Sequence, residues 1–191
     1  MAANCLPVPL PKAYRLLNHG PTVLVSSASG GRRNVMAAAW SMPLDFDPPK
    51  VAVVIDKNTF TRTLVEASGE FVLNVPPRAL AAQTLAAGTR SGRDTDKFAV
   101  LGLEAQPASL VGAPLVGGCV AWLECRVLPE TAMADRHDLF IGQVVAAWAD
   151  PRVFRDGHWQ FDDSSLCTVH YQAGGAFLAI GASFEVSTEA S

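Results

Sequence analysis

Residues Asn34 to Pro76 read NVMAAAWSMPLDFDPPKVAVVIDKNTFTRTLVEASGEFVLNVP, and this stretch decides the fold. Asn34 to Ser41 follows the Gly30-Gly31 turn and the alternating run Pro21 to Ala28, so the two segments read as a β-hairpin. After Asp47-Pro48-Pro49, a turn by composition, Val51 to Ile55 is a short unbroken apolar run, the pattern of a strand buried on both faces. Asn58 or Thr59 can cap the helix that follows. Phe60, Leu64 and Ala67 share one of its faces, and Gly69 stands where a C-terminal cap is wanted. Glu70 to Val75 is again a strand, stopped by Pro76-Pro77.

Working outward, Ala79 to Ala87 is Ala-rich and helical until Gly88, and Thr89 to Phe98 reads as a polar loop. Cys119 to Leu128 and Leu139 to Trp148 are two long strands, Asp156-Gly157 is a turn, and Gly174-Gly175 precedes the short apolar run Phe177 to Ile180. About six strands interrupted by two or three short helices fit a mainly β chain, a closed or split antiparallel barrel, better than a doubly wound parallel sheet. Parallel βαβ units need more helices.

The 191 residues suit one domain with a sizeable core, and 49% hydrophobic against 17% charged residues gives no sign of extensive disorder. A net charge of -3 without a basic run argues against nucleic-acid binding. The start lacks a positive n-region and carries Pro7, Pro9 and Pro11, and Gly, Pro or charge interrupts every apolar stretch. The reading is a cytoplasmic chain that does not enter a membrane. Cys5, Cys119, Cys125 and Cys167 have no metal-ligand spacing and read as small hydrophobes, and no metal site is expected.

Neither GxGxxG nor GxxxxGK[ST] occurs, so a phosphate would need another cradle. The turn Asp56-Lys57-Asn58-Thr59-Phe60-Thr61 offers a helix N-terminus, two hydroxyls and an ammonium; an ordinary capped helix explains the same residues. The loop Arg90 to Lys97 carries cations and hydroxyls that suit an anion, or it is a solvated charged loop. Asn34 and Trp40 lie six apart, on one face of a single strand, with small Ala37, Ala38 and Ala39 leaving room for a flat ring. Taken alone, Trp40 reads as core filling. His137, beside Asp135, Arg136 and Asp138, reads as the exposed start of a strand where an imidazole meets a ligand, or as a surface histidine. No GxSxG elbow or HExxH supports hydrolysis or a zinc site.

From Tyr14 to Gly181 the order of these segments resembles the flavin reductase-like, FMN-binding split-barrel family. The resemblance rests on Asn34-Val35-Met36 to Trp40, Asp47-Pro48-Pro49, Phe60-Thr61, Ser68 to Asn74, and His137-Asp138-Leu139-Phe140-Ile141-Gly142. The Ala37 to Ala39 run, where reductase partners of two-component monooxygenases commonly have Ser and Thr, places it with the flavoredoxin-type branch. The resemblance implies one domain over 14–181 with an extension at 1–13 and a tail at 182–191. It implies non-covalent FMN, a homodimer with flavin near the interface, hydride supplied by NAD(P)H, and a partner redox protein or monooxygenase. Asn34, Met36, Ala37, Ala38 and Trp40 would meet the flavin, Thr61 and Lys97 would hold its phosphate, and Lys57, Thr59, Phe60, Ser91 and Arg93 would assist. Phe177 would be an aromatic of the same pocket, and His137 would stand near the flavin's reactive face as the catalytic residue. The alternative is an FMN-holding electron-transfer or storage module without NAD(P)H activity.

Overall fold

A computed structural model describes residues 5–186, so parts of the expected extension at 1–13 and tail at 182–191 lie outside the described residues. The first half builds β1 (Leu6–Pro7), β2 (Val23–Ser29), β3 (Arg32–Ala38), β4 (Ser41–Phe46), β5 (Pro49–Val54), α1 (Phe60–Ser68), β6 (Glu70–Val75) and α2 (Ala81–Thr89). The second half adds α3 (Lys97–Val100), β7 (Ala105–Gln106), β8 (Leu115–Val116), β9 (Ala121–Val127), α4 (Thr131–His137) and β10 (Leu139–Ala149). Two small hairpins complete it: β11 (Phe154–Arg155) with β12 (His158–Trp159), and β13 (Val169–Ala173) with β14 (Ala176–Ala179).

One antiparallel sheet runs β3-β2-β6-β9-β10-β5-β4, with β1 added beside β10. The mainly β reading holds. Its central strands are buried on both faces: Val23, Val25, Phe71, Leu73, Leu123 and Cys125 fill the inside, while Leu24, Val72 and Trp122 pack outward against Val35, Ala87 and Phe98. Two apolar faces on each strand explain the near-continuous apolar runs of the sequence. Among the described residues no helix is long and apolar enough to cross a membrane.

The helix α1 follows its local signals. Thr59 caps it by accepting from the Arg62 amide at 3.2 Å, and Gly69 ends it at φ 70°, where a side chain is strained. The hairpin β2–β3 turns at Gly30-Gly31 as expected, with Ser29 opposite Arg32.

Other expectations are corrected. The strand from Asn34 stops at Ala38, and a separate edge strand β4 starts at Ser41, so Asn34 and Trp40 do not share a strand face. His137 does not begin a strand; it closes α4, and Asp138 caps that helix in the left-handed region at φ 56°. Gly88 does not end α2 but sits within it, where a Cβ would lie 3.2 Å from the Ala37 Cβ, so its lack of a side chain lets the helix approach β3. Lys97, expected in a loop, opens α3 behind an Asp96 cap.

Packing also defines a test of the barrel interior. A Cβ at Gly142, in mid-β10, would lie 2.6 Å from the Phe71 ring and 3.1 Å from the Cys125 Cβ, and Phe71 is fully buried. Gly142→Ala is expected to lower the unfolding free energy by about 2 kcal/mol through overpacking, measured by urea denaturation.

Candidate functional site

A cavity of about 360 Å³ opens between the end of β3, the helix α2 and the β13–β14 hairpin. Of the residues expected around a flat ligand, Met36, Ala37, Ala38, Trp40 and Phe177 line it. The Ala37 to Ala39 backbone forms a wall with little side-chain bulk. Trp40 is 74% exposed, not core filling: the chain has left β3 before it, and its carbonyl accepts from the Val54 amide at 3.0 Å. Its body is therefore available to the cavity mouth.

Residues that sequence reasoning missed complete the lining: Thr84, Leu85, Gly88 and Thr89 on α2, Thr22 on the approach to β2, Val54, Asp56 and Tyr171. The Tyr171 and Phe177 rings meet edge to face at 5.2 Å across the hairpin. Tyr171 is anchored to Thr22, whose hydroxyl accepts from its amide at 2.7 Å. Among the described residues Asp56 is the charged member of the lining, and the rest of the wall is mostly apolar. The sequence signal that could have placed α2 at the cavity is its two threonines, Thr84 and Thr89, in an otherwise Ala-rich helix.

The other expected residues gather at a second locus, where β3, the start of α1 and the 91–96 loop meet. Asn34 donates from Nδ2 to Thr61 Oγ1 at 2.9 Å, and both side chains are buried. Asn34 Oδ1 is buried without a partner among the described residues. Gly92 passes directly over it, since a Cβ there would lie 2.0 Å from that oxygen. The loop is tied to its surroundings by guanidinium groups. Arg93 donates to the Asn58 carbonyl at 3.1 Å, and its amide donates to Ser91 Oγ at 3.2 Å. Arg32 donates to the Gly92 and Arg93 carbonyls and lies 4.1 Å from the Phe60 ring centroid. Arg33 bonds Asp96 at 2.8 Å, and that hydrogen bond holds the Asp96 carboxyl below the usual carboxylate range.

Beside this knot the first-turn amides of α1 lack intrahelical partners, apart from the one that Thr59 caps. Lys57 is exposed on the same turn. The two phosphate candidates of the sequence, the 56–61 turn and the 90–97 loop, are thus joined through Arg93 and the Asn58 carbonyl.

Lys97 stands differently from expectation. It is only 3% exposed, and its ammonium donates to the Val35 carbonyl at 3.0 Å and the Ala87 carbonyl at 2.7 Å. Two of its three hydrogens therefore clamp β3 to α2, the two walls of the cavity. Burial lowers its pKa from 10.5 to about 8. His137 is exposed at the end of α4 and is not among the residues lining the cavity. The junction behind it is firm: Arg62 bonds Asp138 at 2.5 Å and Glu66 at 2.6 Å, and the Ile55 amide donates to the Asp138 carbonyl at 2.8 Å.

Comparison with known proteins finds the flavin reductase like domain over residues 15–175. A solved FMN-binding domain of a flavin reductases-like enzyme from Shewanella baltica is 48% identical, with a TM-score of 0.94, over 98% of this chain and 100% of that one. The Escherichia coli protein YddH is 49% identical over 179 residues, 92% of this chain and 95% of its own length. The flavoredoxin of Desulfovibrio vulgaris (Miyazaki F) is 30% identical with a TM-score of 0.77, over 88% of this chain and 90% of its own.

Proposed function

The chain belongs to the flavin reductase like domain family, and on that premise we propose that it is an FMN-binding oxidoreductase. In this reading it takes hydride from NAD(P)H and passes electrons to a flavin, a partner redox protein or monooxygenase, or a small acceptor in the cytoplasm. FMN supplies the redox chemistry when bound, accepting hydride at N5 and giving electrons onward.

The observation that carries the reading is the pairing of two loci: a mostly apolar cavity walled by Ala37 to Ala39, and next to its β3 wall the knot of Thr59 to Thr61 and Ser91 to Arg93, which would cradle an anion. The residues fit the cofactor. The orphaned Asn34 Oδ1 offers a buried acceptor to a sugar hydroxyl, and the start of α1 offers amides to a phosphate. Met36, Ala37, Ala38, Trp40 and Phe177 would bind and orient the ring system, with Tyr171 and the threonines of α2 enclosing it. Thr61, Ser91, Arg93 and Lys97 would hold the phosphate, with Lys57, Thr59 and Phe60 shaping the turn. His137 would act on the nicotinamide side as an orienting group and a hydrogen-bond donor. It would do so from a junction made rigid by the Arg62 and Asp138 pair.

A homodimer is part of the proposal. Met42, Leu44 and Phe46, at 53%, 43% and 63% exposed, form an outward apolar row on the edge strand β4, and a second copy would cover it.

The test is an absorption spectrum of purified protein with added FMN, followed by anaerobic titration with NADH and NADPH. A flavin spectrum that bleaches with either nucleotide is the expected result. A coloured protein that does not bleach would leave the electron-transfer module without NAD(P)H activity. A protein that fails to bind FMN ends the whole reading. Within the cradle, Gly92→Ala forces the loop off Asn34 and is expected to weaken FMN about tenfold, or 1.4 kcal/mol, read by fluorescence quenching of the flavin.

A further inference from the structure

We propose that the segment following β14, residues 181–186, docks as an added strand on the edge strand β4 of a second copy, and that the exchange is reciprocal. The inference rests on the dimer reading above and specifies which part of each copy covers the other.

The strand β4 ends the sheet, so among the described residues one of its edges has no strand partner. Its side chains alternate: Ser41, Pro43 and Asp45 are half-buried, whereas Met42, Leu44 and Phe46 stand outward. A proline is tolerated on such an edge because the ladder there loses only one donor. An open apolar edge is a template for another extended segment.

The segment after β14 carries the matching row. Phe184 is 87% exposed and Val186 is 78% exposed. In extended chain they share one side, while Ser183 and Glu185 take the other. Its root is fixed where the Ile180 amide donates to the Thr168 carbonyl at 3.1 Å, and 181–186 then runs on outside any helix or strand.

The two rows have the same period of two, and neither covers the other within the chain, because both are exposed. This points to a second copy and not to an unrelated protein. One chain supplies both complementary halves, so a two-fold axis satisfies all four rows at once and closes the assembly. Main-chain bonds along the β4 edge would supply affinity, and the Phe184 and Val186 side chains would set the register against Met42, Leu44 and Phe46. Each row follows a residue of the cavity lining along the chain. Trp40 stands immediately before β4, and Phe177 lies on β14.

The experiment is sedimentation of the full chain, wild type against Phe184→Asp with Val186→Asp, and against Leu44→Asp. Circular dichroism checks that each variant is folded; all three positions are exposed. A cross-linking arm mixes a Leu44→Cys chain with a Phe184→Cys chain, both carrying Cys5→Ser and Cys167→Ser. The expected result is a wild-type dimer, dimer affinity weakened about a hundredfold or more in both aspartate variants, and a disulfide joining two different chains. If the Phe184 and Val186 variant dimerises with wild-type affinity, the docking is overturned while the dimer reading stands. If wild type is itself a monomer, both fall. A further chain carries both Leu44→Cys and Phe184→Cys; if it closes a disulfide within itself at high dilution while the mixed chains form none, the segment sits on its own β4 and the exchange is also overturned.

Discussion

Glu124→Ala is expected to lower the unfolding free energy by about 4 kcal/mol, the largest single-residue effect on stability argued for this chain. Glu124 lies on the outer face of β9 and is fully buried. Its carboxylate accepts from the Ser109 amide at 3.0 Å, the Ser109 hydroxyl at 2.8 Å, the Leu110 amide at 2.6 Å and the Trp148 indole at 2.9 Å. Truncation leaves a hole at a fully buried position and removes all of these bonds together, and the 107–114 loop loses its tie to the sheet. Glu124→Gln keeps an acceptor oxygen but turns an amide NH₂ toward donors, so about half that loss is expected.

The pH dependence has a defined sign. Burial pushes the Glu124 pKa up, but the hydrogen bonds from Ser109, Leu110 and Trp148 together outweigh it, and the net direction is down from 4.5. A carboxylate with a depressed folded-state pKa stabilises the protein fully above its unfolded pKa, and that stability is lost as pH falls through the folded one. Acid unfolding of wild type below pH 4.5 should therefore be steeper than that of Glu124→Gln, whose remaining stability lacks this carboxylate. Equal slopes in both proteins would contradict the assignment.

Much of the fold was legible because its signals were local. The α1 helix carries its own N-cap at Thr59 and its own left-handed stop at Gly69, so its limits depend on nothing distant. The β6, β9 and β10 strands are long apolar runs between breakers and were read within a residue or two. The β4 strand was not, because Pro43 and its outward Met42, Leu44 and Phe46 do not give a core-facing alternation. That miss carried Trp40 with it, since ending β3 at Ala38 swings Trp40 out of the core and onto the cavity mouth.

The site divides in the same way. Met36 to Ala38 and the 56–61 turn are contiguous and could be read from sequence as one wall and one cap. The contribution of α2 is purely tertiary: Gly88 permits contact with Ala37, and only that contact brings Thr84 and Thr89 to the cavity. His137 read as a strand start because Leu139 to Trp148 is so clearly a strand. The one-residue left-handed cap at Asp138 that separates helix from strand is carried by an aspartate, not the glycine that usually announces it.

Lys97→Met is expected to weaken FMN binding about a hundredfold, the size of one or two charge-assisted hydrogen bonds, while removing a pH-dependent burden on the apo protein. The buried ammonium has two carbonyl partners, and no carboxylate is recorded against it among the described residues. Its folded-state pKa of about 8 lies below the ordinary 10.5. Between those values the unfolded chain holds a proton that the native state has released, so the stability of the apo protein rises with pH by roughly 1.4 kcal/mol per unit. The rise ends early. Cys119 and Cys125 are pushed up by burial, so from pH 9 the unfolded thiols ionise before the native ones and stability falls. Urea midpoints of wild type should therefore climb from about pH 8 to 9 and then drop, whereas those of Lys97→Met should stay level before the drop. A bound phosphate would favour the charged ammonium, so FMN affinity should decline as pH passes 8, and riboflavin, which has no phosphate, should not follow. If FMN affinity stays constant from pH 7 to 9.5 while the apo midpoints still climb, Lys97 is only the clamp between Val35 and Ala87, and the phosphate rests on Thr61, Ser91 and Arg93 without it.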